Sequence, residues 1–496
     1  MQSIRNGLLL ATLAGSLLLG AAATDNKGTA MTNSALQTEA NHSMTTQGLS
    51  ASQYQKIKAA GLDKPQLSYP DIELLLQQHR ANTQLRFSQL GLSVLGTPIW
   101  QIDIGNGPVK LMAWSQMHGD ESTATASVLD LLQLLATAEG QQWLQGWQDK
   151  LTLRLIPMLN PDGAAAGSRF NSMGIDINRD AKALQTPEGR LLMQAAKEFK
   201  PDFGLNLHDQ NRFYAVGDST KQATISLLAP AFNEAKDIDA ARAKAMQLIG
   251  EMRDLMAQEL PGYLAKYDDT YSWRSFGDTF AGMGISTVLI EAGGHPADDN
   301  RQVARQLITQ LLVLSINSIA SGRYQLQPLS AYQAIPFNRD GGIKDLLIHN
   351  LNLRLNGQQA EVDLAVDLDI EGAKQARFRD IGDLSIYGSY HQFDAKGLSY
   401  QPPKAYVLSK PLQLTEQAYL ALLRQGYSHF SGDERLLTIE TRLPVLVNPT
   451  GLPGDTPQRQ RRATFLLANT QGVQLALLNG QLLELSSGKL LNPLGT

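Results

Sequence analysis

The sequence predicts an α/β protein, with a mixed, mostly parallel sheet flanked by helices and a second, β-rich region after it. Three observations carry this. Between residues 51 and 322, strand-like apolar runs alternate with stretches of helical periodicity. Two of the runs, 202–207 and 286–290, have the short apolar character of buried parallel strands. After about residue 323 the style changes to period-two alternation punctuated by Gly and Pro.

At the N-terminus, Arg5 precedes an apolar run over residues 7–20, and Ala21-Ala22-Ala23 places small residues at a cleavage point. This is the layout of a secretory signal peptide over residues 1–23. The run falls short of the roughly 20 apolar residues of a bilayer span. The expectation is an exported protein, periplasmic or extracellular, with no membrane span left after cleavage. Residues 24–50 are polar, rich in Ala, Thr, Ser and Asn, and read as a flexible linker.

Residues 98–104 and 110–114 read as strands, with Gly105-Asn106-Gly107 as a turn between them. Helical spacing over 121–135 gathers Val128, Leu129, Leu131, Leu132 and Leu135 on one face. A strand follows over 151–158, and helices over 188–199, 240–259 and 299–319. Together 51–322 make one domain. Residues 323–496 read as a β-rich accessory domain. Over 361–370, Val362, Leu364, Val366, Leu368 and Ile370 share a face, and Asn479-Gly480 separates two apolar runs in a hairpin pattern.

Hydrophobic residues make up 43% of the chain and charged residues 18%, with a formal net charge of -4. No basic excess supports a nucleic-acid partner. The absence of cysteine excludes disulfides, lipid attachment to a Cys and any thiolate zinc site, so zinc ligands must be His and carboxylate.

Candidate ligands lie at strand ends. Trp114-Ser115-Gln116-Met117-His118-Gly119-Asp120-Glu121 carries an apolar strand into a polar loop, with His118 and Glu121 three positions apart at a helix start. That spacing puts both on one side of a turn, where they can grip a metal ion that takes three protein ligands and leaves a position for water. His208 directly follows another apolar strand, the position where open α/β sheets bind ligands. Between them come Asn160-Pro161-Asp162-Gly163, a turn, then Arg169, then Asp176-Ile177-Asn178-Arg179-Asp180. Arg179 offers a planar fork for a carboxylate and Asn178 an amide donor. Glu291 closes the strand Ser286-Thr287-Val288-Leu289-Ile290, where partial desolvation raises a carboxyl toward the pKa of a working base.

In this order the set resembles the zinc metallocarboxypeptidases of the carboxypeptidase A-like family, in a bacterial, exported form, over residues 85–322. The resemblance implies a carboxypeptidase-like fold and one Zn2+ held by His118, Glu121 and His208. It implies Glu291 as general base and acid, and Arg169 as the cation that stabilises the oxyanion, although its distance from the Asn-Arg pair differs from that in the digestive enzymes. Asn178 and Arg179 match the pair that holds the terminal carboxylate, and Asp176 the carboxylate that orients the first histidine. Tyr267 and Tyr271 are candidates for the substrate-binding tyrosine, with Tyr271 favoured by its distance from Glu291. Two departures stand out. Asp180 replaces the usual Asn after the pair and puts a negative charge beside it. Residues 276–278 do not copy the digestive enzymes, and Gly277 would leave space rather than select a charge.

The activity implied is removal of C-terminal residues from peptides with a free C-terminus, cell-wall peptides among them. The same ligands would serve a zinc amidase or deacylase acting on cell-wall peptides or acyl-amino acids. A non-catalytic binding module on the same fold is a third reading.

Overall fold

The computed structural model describes residues 44, 48–369 and 375–492. The signal peptide expected over 1–23 lies outside them, as does the linker expected over 24–50 except for Met44 and residues 48–50. Those few residues correct the linker's far end. Met44 and Leu49 are buried, and their carbonyls accept hydrogen bonds from Asn317 (2.8 Å) and Gln310 (2.9 Å). Ser50 then caps the helix Ala51–Ile57.

The strands of the first domain are β1 (Leu85–Leu92), β2 (Pro98–Ile104), β3 (Val109–Ser115), β4 (Leu151–Ile156), β5 (Phe203–Asp209), β6 (Ala215–Val216), β7 (Ile225–Leu228), β8 (Leu264–Lys266) and β9 (Ser286–Ala292). Eight of them form one sheet in the order β1-β2-β4-β3-β5-β9-β7-β8, with β6 outside it. The central four, β4, β3, β5 and β9, are parallel. The β1–β2, β2–β4 and β9–β7 pairs are antiparallel, so the sheet is mixed.

Both faces are covered, which is why β3, β5 and β9 are buried along most of their length. On β3, Leu111 and Ala113 join the core under the helices Thr123–Leu135, Ala240–Glu259 and Gln302–Ser321. Met112 and Trp114 face the opposite way, into a cluster with residues of the helices Pro187–Phe199 and Phe276–Gly282. Among the described residues one helix, Gln302–Ser321, is long and apolar enough to cross a membrane, but 83% of its apolar window is buried inside the protein, as befits a core helix.

The Gly105-Asn106-Gly107 turn connects β2 to β3 without pairing them, because β4 lies between. A Cβ on Gly107 would fall 2.0 Å from the backbone of Lys150 and Leu151, so the start of β4 needs glycine there.

The segment after residue 322, expected to begin the β-rich domain, instead completes the first one. Gly322 ends the long helix in the left-handed region, and the helix Leu329–Gln333 then packs on Ala240–Glu259 through Ala331 and Gly250. A short strand, β10 (Asn338–Arg339), pairs with β6. The second region starts at β11 (Ile343–Leu355) and continues through β12 (Gln358–Asp369), β13 (Gln375–Gly382), β14 (Gly388–Asp394) and β15 (Ser399–Gln401). Two small parallel pairs follow: β16 (Ala405–Leu408) with β18 (His429–Gly432), and β17 (Leu412–Leu414) with β19 (Leu437–Ile439). β20 (Phe465–Asn469), β21 (Gly472–Leu478), β22 (Gln481–Glu484) and β23 (Lys489–Leu490) return to the sheet of β11–β15.

Leu364 and Val366 of β12 are buried, with Val362 and Leu368 packed beside them; Ile370 lies outside the described residues. Asn479 (φ 49°) and Gly480 (φ 82°) make the tight turn between β21 and β22.

Candidate metal centre

Three adjacent parallel strands, β3, β5 and β9, end side by side, and the candidate site sits on those ends. Leaving β3, Gln116 takes a left-handed conformation (φ 50°), which is costly for a residue with a Cβ. Its buried amide maintains the turn: Nε2 donates to the Leu67 and Gly119 carbonyls at 2.8 and 2.9 Å, and Oε1 accepts from Thr125 at 2.7 Å. The Asn160-Pro161-Asp162-Gly163 turn is the buttress of this loop. Asn160 donates its backbone N–H to the Gln116 carbonyl (3.0 Å) and its amide to the Met117 carbonyl (3.2 Å). A Cβ on Gly119 would fall 2.0 Å from Gly163, so the two turns touch backbone to backbone.

This arrangement brings His118, Glu121 and His208 together. The Nδ1 atoms of His118 and His208 lie 2.6 and 2.7 Å from the two oxygens of Glu121, and 3.2 Å from each other. One potential ligand atom from each residue falls within 4.8 Å of the others, and all three are buried. His208 and Glu291 are register neighbours on β5 and β9, so their side chains share a face of the sheet. Glu291 is 7% exposed.

The buried groups shift one another's protonation. Burial opposes a charged His118, yet the Glu121 carboxylate and the hydrogen bonds with Asp176 and Glu121 hold that imidazole up at about 9. Burial likewise opposes a charged Glu121, and the two imidazoles overcome it, keeping its carboxyl well below the usual range. Burial, reinforced by the Glu121 charge, pushes Glu291 well above its ordinary value. Arg169 already aims a positive charge at the cluster, with Nη1 3.1 Å from His118 Nδ1 and 3.2 Å from Glu121.

Two imidazoles and one carboxylate are the donor set of a catalytic zinc with three protein ligands. Asp176, 3.2 Å from His118 Nε2, directs the ring's other nitrogen toward the cluster, the support that metal-bound histidines usually have. The residues therefore fit one zinc ion, with His118, Glu121 and His208 as its holders.

A cavity of about 460 Å³ opens beside the cluster, and Arg169, Asn178, Arg179 and Glu291 line it. Asn178 accepts from the Phe276 N–H at 3.0 Å, which fixes its amide, and Arg179 is exposed. Two sequence expectations change here, and a third holds. Tyr267, not Tyr271, lines the cavity, accompanied by Tyr214. Asp180 is buried and turned inward, where it accepts from Gln185 N (2.7 Å), Thr186 N (2.8 Å) and Thr186 Oγ1 (2.7 Å); its charge is thus taken up by the start of the helix Pro187–Phe199. Gly277 does line the cavity, and the neighbouring Asp278 carboxylate accepts from Ser272 N (2.8 Å) and Ser275 Oγ (2.5 Å).

Sequence reasoning passed over Gln210, Asn211 and Tyr214, which sit on an aperiodic loop and share the cavity wall. It also passed over Asp209, whose only signal is its place after His208. Its backbone N–H donates to Glu121 (3.2 Å), and burial pushes its carboxyl up to about 6.

An α/β sheet with a His-Glu-His donor set at the ends of its central strands and in the loop after β3 has the makings of a site for a single metal ion. Residues 73–225 match the family model described as zinc carboxypeptidase, a span that includes His118, Glu121, Arg169, Asn178, Arg179 and His208. Over this stretch the first domain is similar to zinc carboxypeptidases.

Among similar proteins, Carboxypeptidase 2 of Trichophyton tonsurans is 29% identical over 132 residues, 26% of this chain and 24% of that one. Carboxypeptidase SOL1 of Arabidopsis thaliana is 27% identical over 140 residues, 25% of this chain and 28% of that one. The chain thus spans about a quarter of the length of the curated relatives it matches. The solved metallo-carboxypeptidase from Burkholderia cenocepacia superposes with a TM-score of 0.43 at 17% identity, covering 52% of this chain and 70% of that chain.

Proposed function

We propose that this protein is a zinc-dependent exopeptidase that hydrolyses the C-terminal peptide bond of its substrates. The observation that carries the reading is the convergence of His118, Glu121 and His208 beside Glu291 in a cavity that Asn178 and Arg179 also line. When bound, zinc supplies Lewis acidity and an activated water near neutral pH.

The chain's own residues do the rest. Glu291, with its raised pKa, takes a proton from the attacking water and returns it to the leaving nitrogen. Arg169 donates to the developing oxyanion, a contribution of about 3 kcal/mol for one well-placed donor. For that it exchanges its contacts with His118 and Glu121 for the substrate. Arg179 and the Asn178 amide hold the terminal carboxylate, which sets the exopeptidase register. Leu228, Pro230, Leu289, Asn206 and Gly277 line the cavity as well, and two carboxylates in its wall, Asp268 and Asp278, are engaged by their own loops; this favours a roomy pocket.

The apolar run over residues 7–20 supports export, and an exported enzyme of this kind meets cell-wall stem peptides as well as protein fragments.

Paired peptides with free and amidated C-termini test the reading. Hydrolysis of the free form alone is expected, and equal hydrolysis of both would refute the exopeptidase register in favour of an amidase. His118→Ala is expected to lose its metal on elemental analysis of the purified protein; one zinc per chain in that variant would refute the ligand set.

A further inference from the structure

The segment 210–217 supplies Gln210, Asn211 and Tyr214 to one wall of the cavity, and the β-rich region grips it from outside. The Tyr214 ring lies 6.1 Å from that of Tyr267. Between these cavity residues the chain turns its other groups to the second region. The Arg212 guanidinium pairs with Asp345 of β11, which is 2% exposed. The Arg212 carbonyl accepts from the Tyr390 hydroxyl at 2.7 Å, and the Phe213 carbonyl accepts from Ile343 N at 3.0 Å. Tyr390 also touches the turn after Glu291, where a Cβ on Gly294 would fall 1.9 Å from its hydroxyl. A single tyrosine of the β-rich region therefore braces the chain leaving β5 and the chain leaving β9.

We propose that Arg212 is a positioning residue, and that through its pairing with Asp345, and with Tyr390 beside it, the β-rich region forms part of the substrate site by fixing the wall of Gln210, Asn211 and Tyr214.

The physical reason lies in the burial of Asp345. Its second oxygen accepts from Leu368 N at 2.6 Å, so it is locked into the β-rich sheet and has no solvated alternative. Removing Arg212 leaves that charge uncompensated, which is costly. Without the pair, the partly exposed stretch 211–214 is left to the bonds from Tyr390 and Ile343, while Gln210, Ala215 and Val216 on either side stay buried; a short stretch held in this way is the kind that opens locally. The kinetic part of this proposal rests on the exopeptidase reading; the structural part does not.

The test uses the full-length chain with Asp345→Asn, Arg212→Ala, Arg212→Lys and, as a milder change, Tyr390→Phe. Hydrogen–deuterium exchange is read over 210–217 and over the helix Thr123–Leu135. In Asp345→Asn and Arg212→Ala, exchange over 210–217 is expected to quicken about tenfold, equivalent to a local loss of about 1.4 kcal/mol, with the helix unchanged. Arg212→Lys is expected to recover part of the protection, as a point charge without the fork. With a free-C-terminus peptide, KM is expected to rise about tenfold while kcat stays within about twofold and zinc content holds, the pattern of lost uniform binding.

Unchanged exchange over 210–217 overturns the clamp, as does an increase shared equally with the helix. Faster loop exchange with an unchanged KM overturns the assignment to the substrate site. If Arg212→Ala does not fold, Tyr390→Phe decides the same questions through its single lost bond. A wild-type chain inactive on every peptide overturns the exopeptidase reading and leaves the exchange results to decide the clamp.

Discussion

Two buried charge clusters share this domain, and they are built in opposite ways. In the first, Asp130 and Arg305 form a bidentate pair at 2.6 and 2.8 Å, with the two residues 0% and 1% exposed. Asp130 also accepts from Ala59 N (2.7 Å) and Tyr54 (3.0 Å), so both oxygens are saturated and the segment before β1 is pinned to the core. In the second, His118, Glu121, His208, Asp209 and Glu291 crowd together at the strand ends, and two buried polar atoms, His208 Nε2 and Asp209 Oδ1, have no hydrogen-bond partner. A closed cluster satisfies itself and holds architecture. An open one keeps donors converging and charges unbalanced, and that capacity is available to a metal and a substrate.

The largest effect is expected from the open cluster. Glu291→Gln keeps the shape of the side chain but removes the base. Activity (kcat/KM) is expected to fall by about 10³–10⁴-fold, at the upper end of what a positioned acid–base group contributes. Metal analysis should still find one zinc per chain, because Glu291 is not among the proposed ligands. Wild-type rates in this variant would remove the base from the mechanism.

The closed cluster should respond in the other currency. Asp130→Ala leaves the Arg305 guanidinium buried without its partner and is expected to cost about 3–5 kcal/mol of stability. Urea unfolding measures it. The folded fraction should keep its zinc and its kcat, since none of the residues bonded to Asp130 lines the cavity. A variant of normal stability but low kcat would abolish the distinction between the two clusters.

Asp176→Asn falls between these. It touches no substrate in the proposed mechanism and acts by orienting the His118 ring and holding Arg169 at 3.1 Å. Loss of such support typically costs 10–100-fold in metal affinity or activity. Zinc titration with a competing chelator would read it, and an unchanged affinity together with unchanged turnover would show that the ring needs no such partner.

The open cluster was largely legible in the sequence, because its residues combine chemical type with position. His118, His208 and Glu291 each follow an apolar strand, and strand ends in such sheets are where sites form. The hairpin at Asn479-Gly480 was legible for a similar reason, since few dipeptides tolerate two left-handed residues. What failed was inference across aperiodic chain. Tyr271 has a suggestive distance from Glu291 along the sequence, but the stretch between β8 and the helix Phe276–Gly282 is irregular, and there distance along the chain does not fix direction in space. Asp180 follows Arg179 by one residue, yet the end of the 3-10 turn at 177–179 points it inward to Thr186. Met44 and Leu49 are two apolar residues in a polar stretch, too few to show a period, although both dock on the core. The change of style near residue 323 marked the end of a long helix rather than the end of the domain, because the short helix that follows has its own contacts with Ala240–Glu259.

The smallest effect sharpens the reading of the cavity. Gly277 has no positive φ, so a side chain there brings no backbone strain. An added Cβ would sit 3.3 Å from Asn206 Nδ2 and 3.6 Å from Pro230, close enough to narrow the cavity and too far to distort the sheet. One methyl group in a side-chain pocket is worth about 1–3 kcal/mol of discrimination. Gly277→Ala should fall at the low end, because the Asn206 amide is a side-chain end that can swing aside. The expectation is about tenfold lower kcat/KM on peptides ending in a large aromatic residue, with peptides ending in alanine unaffected. Equal losses on both would mean that the methyl disturbs the Asn178 bond to Phe276 N rather than the pocket, and the terminal side chain would then have to enter elsewhere.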